Sequence, residues 1–140
     1  MMNKLIREHY GSEDIQRLNM FTDVNKWKSE VTFIDLENQF YKKLFSSRLV
    51  EKTDITLQDL YYLQQELESL DLKNQAYLEK LMAFILELDG FSECDDLQCE
   101  TFYLNELQKF KIEIENYFFE NRNLKTLIYS YINNGLKKLL

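Results

Sequence analysis

Apolar residues recur at alternating steps of three and four along most of the chain, the spacing that puts side chains on one face of an α-helix. One seam reads Val24, Trp27, Val31, Ile34, Asn38, Tyr41, Phe45. A second reads Leu60, Leu63, Leu67, Leu70, Asn74, Tyr77, Leu81, Phe84, Leu88, and a third Tyr103, Leu107, Phe110, Ile114, Tyr117, Asn121, Leu124, Ile128, Tyr131. These are heptad patterns of the coiled-coil kind, which predict helices packed lengthwise. Phe33, Leu36, Phe40 and Leu44 lie beside the first seam and widen its apolar face, so that helix is expected to touch more than one partner.

Punctuation between the seams sets the boundaries. Residues 1–20 carry a weaker pattern (Leu5, Ile6, Tyr10, Ile15, Leu18) interrupted by Gly11 and Ser12, which predicts an arm or short helix. Thr22 or Asp23 can cap a first long helix over about 23–52. Thr56 with Asp59 resembles a capping box with Asp in place of Glu, opening a second helix over about 57–89 that Gly90 would stop. A third helix is expected to begin between Ser92 and Asp96 and to run over about 95–138. Short connections between long helices predict antiparallel neighbours. The expected fold is therefore all-α: one domain over 1–140, an elongated antiparallel bundle of three long helices with a short N-terminal arm or helix.

Composition agrees with that picture. There is no proline and there are three glycines, which excludes folds with many tight turns. With 45% of residues apolar and 14% aromatic, 140 residues can bury one core. Twenty-four acidic against 17 basic residues give a net charge of −7, so nucleic acid is not an expected partner. No apolar run approaches the roughly 18 residues of a membrane span, and the start has no signal-peptide core. A cytoplasmic protein without membrane association is the expectation. Charge is also uneven along the axis. Leu81–Gln108 holds seven acids and no base, whereas Asn121–Leu140 holds four bases and no acid. An antiparallel bundle gathers Glu87, Asp89, Glu93, Asp95, Asp96 and Glu100 into an acidic pole, with Lys42, Lys43, Arg48 and Lys52 towards the other end.

Candidate chemistry is sparse. Glycine-rich phosphate loops, Ser-x-x-Lys and G-x-S-x-G elements are missing, and His9 is the only histidine, so the Glu-x-x-His pair of di-iron bundles cannot form. No enzyme activity, metal or cofactor is expected. Cys94 and Cys99, a C-x4-C pair among carboxylates, admit three readings: packing or capping residues, a disulfide or redox pair, or a metal site shared between chains. A disulfide requires Cys94 to lie outside the helix, because five residues of regular helix turn two side chains about 140° apart. Glu30 and Glu37, seven residues apart beside the first seam, either solvate the bundle edge or share a polar pocket.

Each seam also carries one asparagine at a core position: Asn38, Asn74 and Asn121. A buried asparagine fixes register or partner number when its amide is paired, and the antiparallel arrangement staggers the three by several residues. The final "LIYSYINNGLKKLL" can dock on its own bundle, pair with another chain, or lie on a membrane as an amphipathic segment.

The stretches "WKSEVTFIDLENQFYKKLFSSRL" from Trp27 and "GFSECDDLQCETFY" from Gly90 resemble small helical proteins of Bacteroidetes-type bacteria, a group without an assigned activity. The resemblance implies an architecture, with a Trp-led amphipathic helix, a Glu-Cys-x4-Cys-acid turn and a long last helix. It transfers no catalytic role and draws attention to Glu93, Cys94, Cys99 and Tyr103 as a unit. The expected function is a non-enzymatic interaction or scaffold protein whose partner is another protein or a second copy of itself. A thiol redox or metal-responsive switch at Cys94 and Cys99, and peripheral membrane association through the C-terminal segment, are the alternatives.

Overall fold

The structure is a computed structural model. It describes the backbone of residues 2–137 and side chains from residue 15 onward, apart from those at 16, 17, 49, 89, 91, 92, 136 and 137. Three long helices, α1 (Met2–Phe45), α3 (Leu57–Ser92) and α4 (Leu97–Lys137), are joined by the single turn α2 (Arg48–Glu51) and a short link, with no strand among the described residues. At 1.5 Å per residue α4 is roughly 60 Å long, so the all-α antiparallel bundle is elongated.

Pairings fix the directions. Asn38 and Val31 of α1 meet Asp71 and Asn74 of α3 in reverse order, so α1 and α3 are antiparallel. Tyr77 and Lys73 of α3 meet Glu113 and Glu120 of α4, again in reverse order. Trp27 against Phe110 and Tyr41 against Tyr129 run in the same order, so α1 and α4 are parallel.

Helix ends follow from local hydrogen bonding. α1 stops at Phe45 because Ser46 and Ser47 donate their hydroxyls to the carbonyls of Lys42 (3.0 Å) and Leu44 (2.7 Å), satisfying acceptors that a helix end leaves open. The first helix thus ends earlier than the expected 52, and 48–51 form a separate turn that buries Val50. Thr56 accepts from the backbone N–H of Asp59 at 3.1 Å and starts α3. Asp96 accepts from the N–H of Cys99 at 2.8 Å and starts α4.

Two boundaries differ further from the sequence reading. The backbone of 2–20 is the beginning of α1 rather than a separate arm, and Thr22 does not cap it; its hydroxyl donates to the Leu18 carbonyl inside the helix at 2.9 Å. One glycine costs a helix about 1 kcal/mol relative to alanine, too little to break it at Gly11. The pattern of Leu5, Ile6 and Tyr10 falls outside the described side chains. Gly90 does not end α3, which continues to Ser92. Its lack of a side chain serves packing instead, since a Cβ there would collide with the Tyr103 hydroxyl of α4.

The core follows the three seams. Val24, Trp27, Val31 and Met20 pack with Leu81, Phe84, Leu88, Phe110 and Ile114 in one cluster. Ile34, Tyr41, Phe45 and Val50 pack with Leu63, Leu67, Leu70, Tyr117, Leu124 and Ile128 in another. Tyr77 and Phe118 pack against both. Phe33, Leu36 and Phe40 face outward rather than meeting a further helix, because α3 and α4 already cover the seam side of α1.

At the far end, Gly135 is buried against Thr53, and an added Cβ would lie 2.6 Å from the Thr53 Cβ and 3.4 Å from the Asp54 nitrogen. Neither neighbour is the tip of a flexible side chain. Gly135→Ala should therefore destabilise the fold by on the order of 1 kcal/mol, since overpacking of about 1–3 kcal/mol outweighs the helix-propensity gain of about 1 kcal/mol. Urea unfolding measures the difference; a more stable variant would contradict the close approach.

Candidate functional site

All three seam asparagines are buried, and two of them, Asn38 and Asn74, belong to polar contacts that span all three helices. Asn38, at 0% exposure, donates from Nδ2 to Asp71 Oδ1 (3.2 Å) and accepts at Oδ1 from Lys125 Nζ (2.7 Å). Lys42 closes the α1–α3 side by donating to Asp71 Oδ2 at 2.6 Å. Lys125 also forms an ion pair with Glu37 at 3.7 Å and lies 5.3 Å from the centre of the Tyr41 ring. Two turns away, Asn74 donates to the backbone carbonyl of Val31 (3.0 Å) and accepts from the Tyr117 hydroxyl (2.6 Å). Asn38 and Asn74 thus occupy different levels, each cross-linking helices.

Asn121 is different. It is buried, yet its Oδ1 is sealed from solvent without a hydrogen-bond partner, which costs about 1–3 kcal/mol. It lines a groove between α1 and α4 of about 260 Å³, whose other walls include Glu30, Phe33 and Glu37 from α1 and Phe118, Arg122, Lys125 and Tyr129 from α4. Glu30 and Glu37 therefore share one groove, Glu37 paired with Lys125 and Glu30 standing at the rim.

Asp71 and Lys125 are the buried charges of the network, and reading the seams alone misses them. The signal was available: 121, 125, 128 is as regular a helical spacing as 121, 124, 128, and Asp71 adjoins Leu70 three residues before Asn74. The two lysines of the network shift in opposite directions. Desolvation lowers the pKa of Lys125, against the pull of Glu37. The hydrogen bond to Asp71 raises that of Lys42. Burial raises the pKa of both Tyr41 and Tyr117, helped at Tyr41 by Tyr129 and at Tyr117 by the charge of Asp71.

The cysteine turn is a second candidate. Cys94 lies in the link between α3 and α4, Cys99 in the first turn of α4, and the structure pairs them as a disulfide, with 5.6 Å between Cα atoms. Of the acidic pole, Glu87, Glu93, Asp95 and Asp96 are exposed, Asp96 caps α4, and Glu100 is buried; the side chain of Asp89 is outside the described set. Among the described residues no group of three or more His, Cys, Asp or Glu side chains converges as a metal site would require. No described helix is long and apolar enough to cross a membrane. In the C-terminal segment Tyr131 and Ile132 pack on the bundle's own core and Gly135 on Thr53, while 138–140 lie outside the described residues.

Comparison with known protein families, curated proteins and solved structures finds no match. The resemblance drawn from the sequence gains no support from them.

Two predictions come from this geometry. Asn74→Ala leaves the Tyr117 hydroxyl buried without its acceptor and removes the bond to the Val31 carbonyl, and should lose about 2 kcal/mol in urea unfolding. The second concerns alkaline stability. Unfolded tyrosines ionise near pH 10, whereas Tyr41 and Tyr117 stay protonated when folded, so the native state holds more protons and stability falls as pH rises past about 10. Lys42 has the same sign, and Lys125 the opposite one because its folded pKa is lowered. The tyrosines and Lys42 together should dominate, which thermal melts between neutral and alkaline pH will record as a falling Tm.

Proposed function

We propose that this chain is a non-enzymatic helical-bundle interaction protein that associates with a second copy of itself through the outer face of α1. One observation carries the reading: Phe33, Leu36 and Phe40 are 56%, 64% and 60% exposed at 3,4 spacing on one face. Contiguous exposed apolar surface of this kind marks an association site more often than a monomer's ordinary surface. The stripe is close to palindromic about Leu36, with an aromatic ring at each end. A two-fold axis there lays Phe33 of one copy against Phe40 of the other, as a self-complementary contact needs.

Leu36→Glu with Phe40→Glu should leave the melting temperature nearly unchanged, because both side chains are exposed, and should abolish association in sedimentation equilibrium. A wild-type chain that stays monomeric up to millimolar concentration would overturn the reading.

A thiol-dependent switch at Cys94 and Cys99 is the second reading, favoured by the pairing of a cysteine in the α3–α4 link with one in the first turn of α4. Opening that link would free the turn that positions Asp96 and the first turn of α4. Intact mass measured with and without reductant tests it: a pair that remains two thiols under air removes the switch.

A further inference from the structure

We propose that the groove between α1 and α4 binds a small zwitterion with an aromatic body, the chemistry of a free aromatic amino acid. Its walls supply three different contacts. Phe118 and Tyr129 are the aromatic surface on which a ring can stack. Glu30 from α1 and Arg122 from α4 stand on opposite walls and make no ion pair with each other. Lys125 pairs with Glu37, so Arg122, three residues earlier on the parallel helix, is level with Ile34, about one turn (~5.4 Å) from Glu30. That offset suits a ligand presenting an ammonium to Glu30 and a carboxylate to Arg122.

The floor is the independent observation. Asn121 is 6% exposed, lines the groove, and has a sealed oxygen without a partner; in the proposed complex the other end of this amide, Nδ2, donates to the ligand carboxylate. The other two core asparagines are paired within the bundle, so this amide is the one the fold does not use. An apolar residue there would pack the seam at less cost, and a buried polar group kept against that preference is the mark of a site. Lys125 has its own partners and serves as a positive wall rather than as the principal contact. A volume of about 260 Å³ lies just below the roughly 300–1,000 Å³ of drug-sized pockets and admits a single-ring ligand.

The test is calorimetric titration of the full chain with L-phenylalanine, alongside 3-phenylpropionate and phenethylamine, which each lack one charge. L-phenylalanine should bind, and each half-ligand should bind at least about tenfold more weakly. Arg122→Gln and Asn121→Leu should each weaken L-phenylalanine at least about tenfold, and Asn121→Leu should also raise the melting temperature of the free protein. Arg122 is exposed, so its variant folds even if the Asn121 variant does not. No binding of L-phenylalanine, half-ligands that match it, or an unchanged affinity in Arg122→Gln would overturn the proposal. Neither substitution touches Leu36 or Phe40, so loss of binding is separable from loss of self-association.

Discussion

The bundle depends on one constraint: a polar side chain placed in an apolar seam must find its partner on a neighbouring helix. Asn74 meets this with a backbone carbonyl of α1 and a hydroxyl of α4 at once. Sliding α1 by one turn would break the bond from the Asn74 amide, and sliding α4 would bury the Tyr117 hydroxyl without its acceptor, whereas leucines at the same positions tolerate a slide. The aliphatic seams therefore supply most of the burial, and the asparagines select which of several heptad alignments is occupied.

The charged part of the network has a different character. Asp71, Lys42, Lys125 and Glu37 trade hydration for mutual contact, and such groups seldom exceed well-packed apolar residues in net stabilisation. Their contribution is directional. Lys125 reaches α1 only in the parallel register, so it ties the last helix to the first at a defined level. The exposed pairs Lys73–Glu120 and Lys80–Glu113, which span α3 and α4 in solvent, add little beside it.

Most of the fold was legible because periodicity reports burial directly. Every residue of the first seam from Val24 to Phe45 is buried, and the caps at Thr56 and Asp96 lie where their side-chain chemistry implies. Periodicity was less informative about faces beside a seam. Phe33, Leu36 and Phe40 have the same hydropathy as core residues, and their exposure follows only from where α3 and α4 lie. Gly90 reads as a helix stop, yet it sits inside α3, since its need for space comes from Tyr103 on the next helix, and that of Gly135 from Thr53, far away in sequence. The groove was half visible: Glu30, Glu37 and Asn121 stood out, but the parallel pairing that unites them with Arg122 and Tyr129 depends on three-dimensional offset.

The same parallel pairing bears on how the chain assembles. α1 and α3 are joined by a short link and can zip together through contacts between residues some thirty to forty positions apart. Contacts between α1 and α4 span more than eighty, and Gly135 meets Thr53 across nearly as many. Closing the longer loop demands more chain entropy, so on this topology the contacts between α1 and α4 follow the α1–α3 and α3–α4 hairpins, whose pairings span similar and shorter separations. The wall bearing Asn121 and Arg122 then meets α1 last, and the groove comes into being only when the first and the last of the three long helices lie side by side.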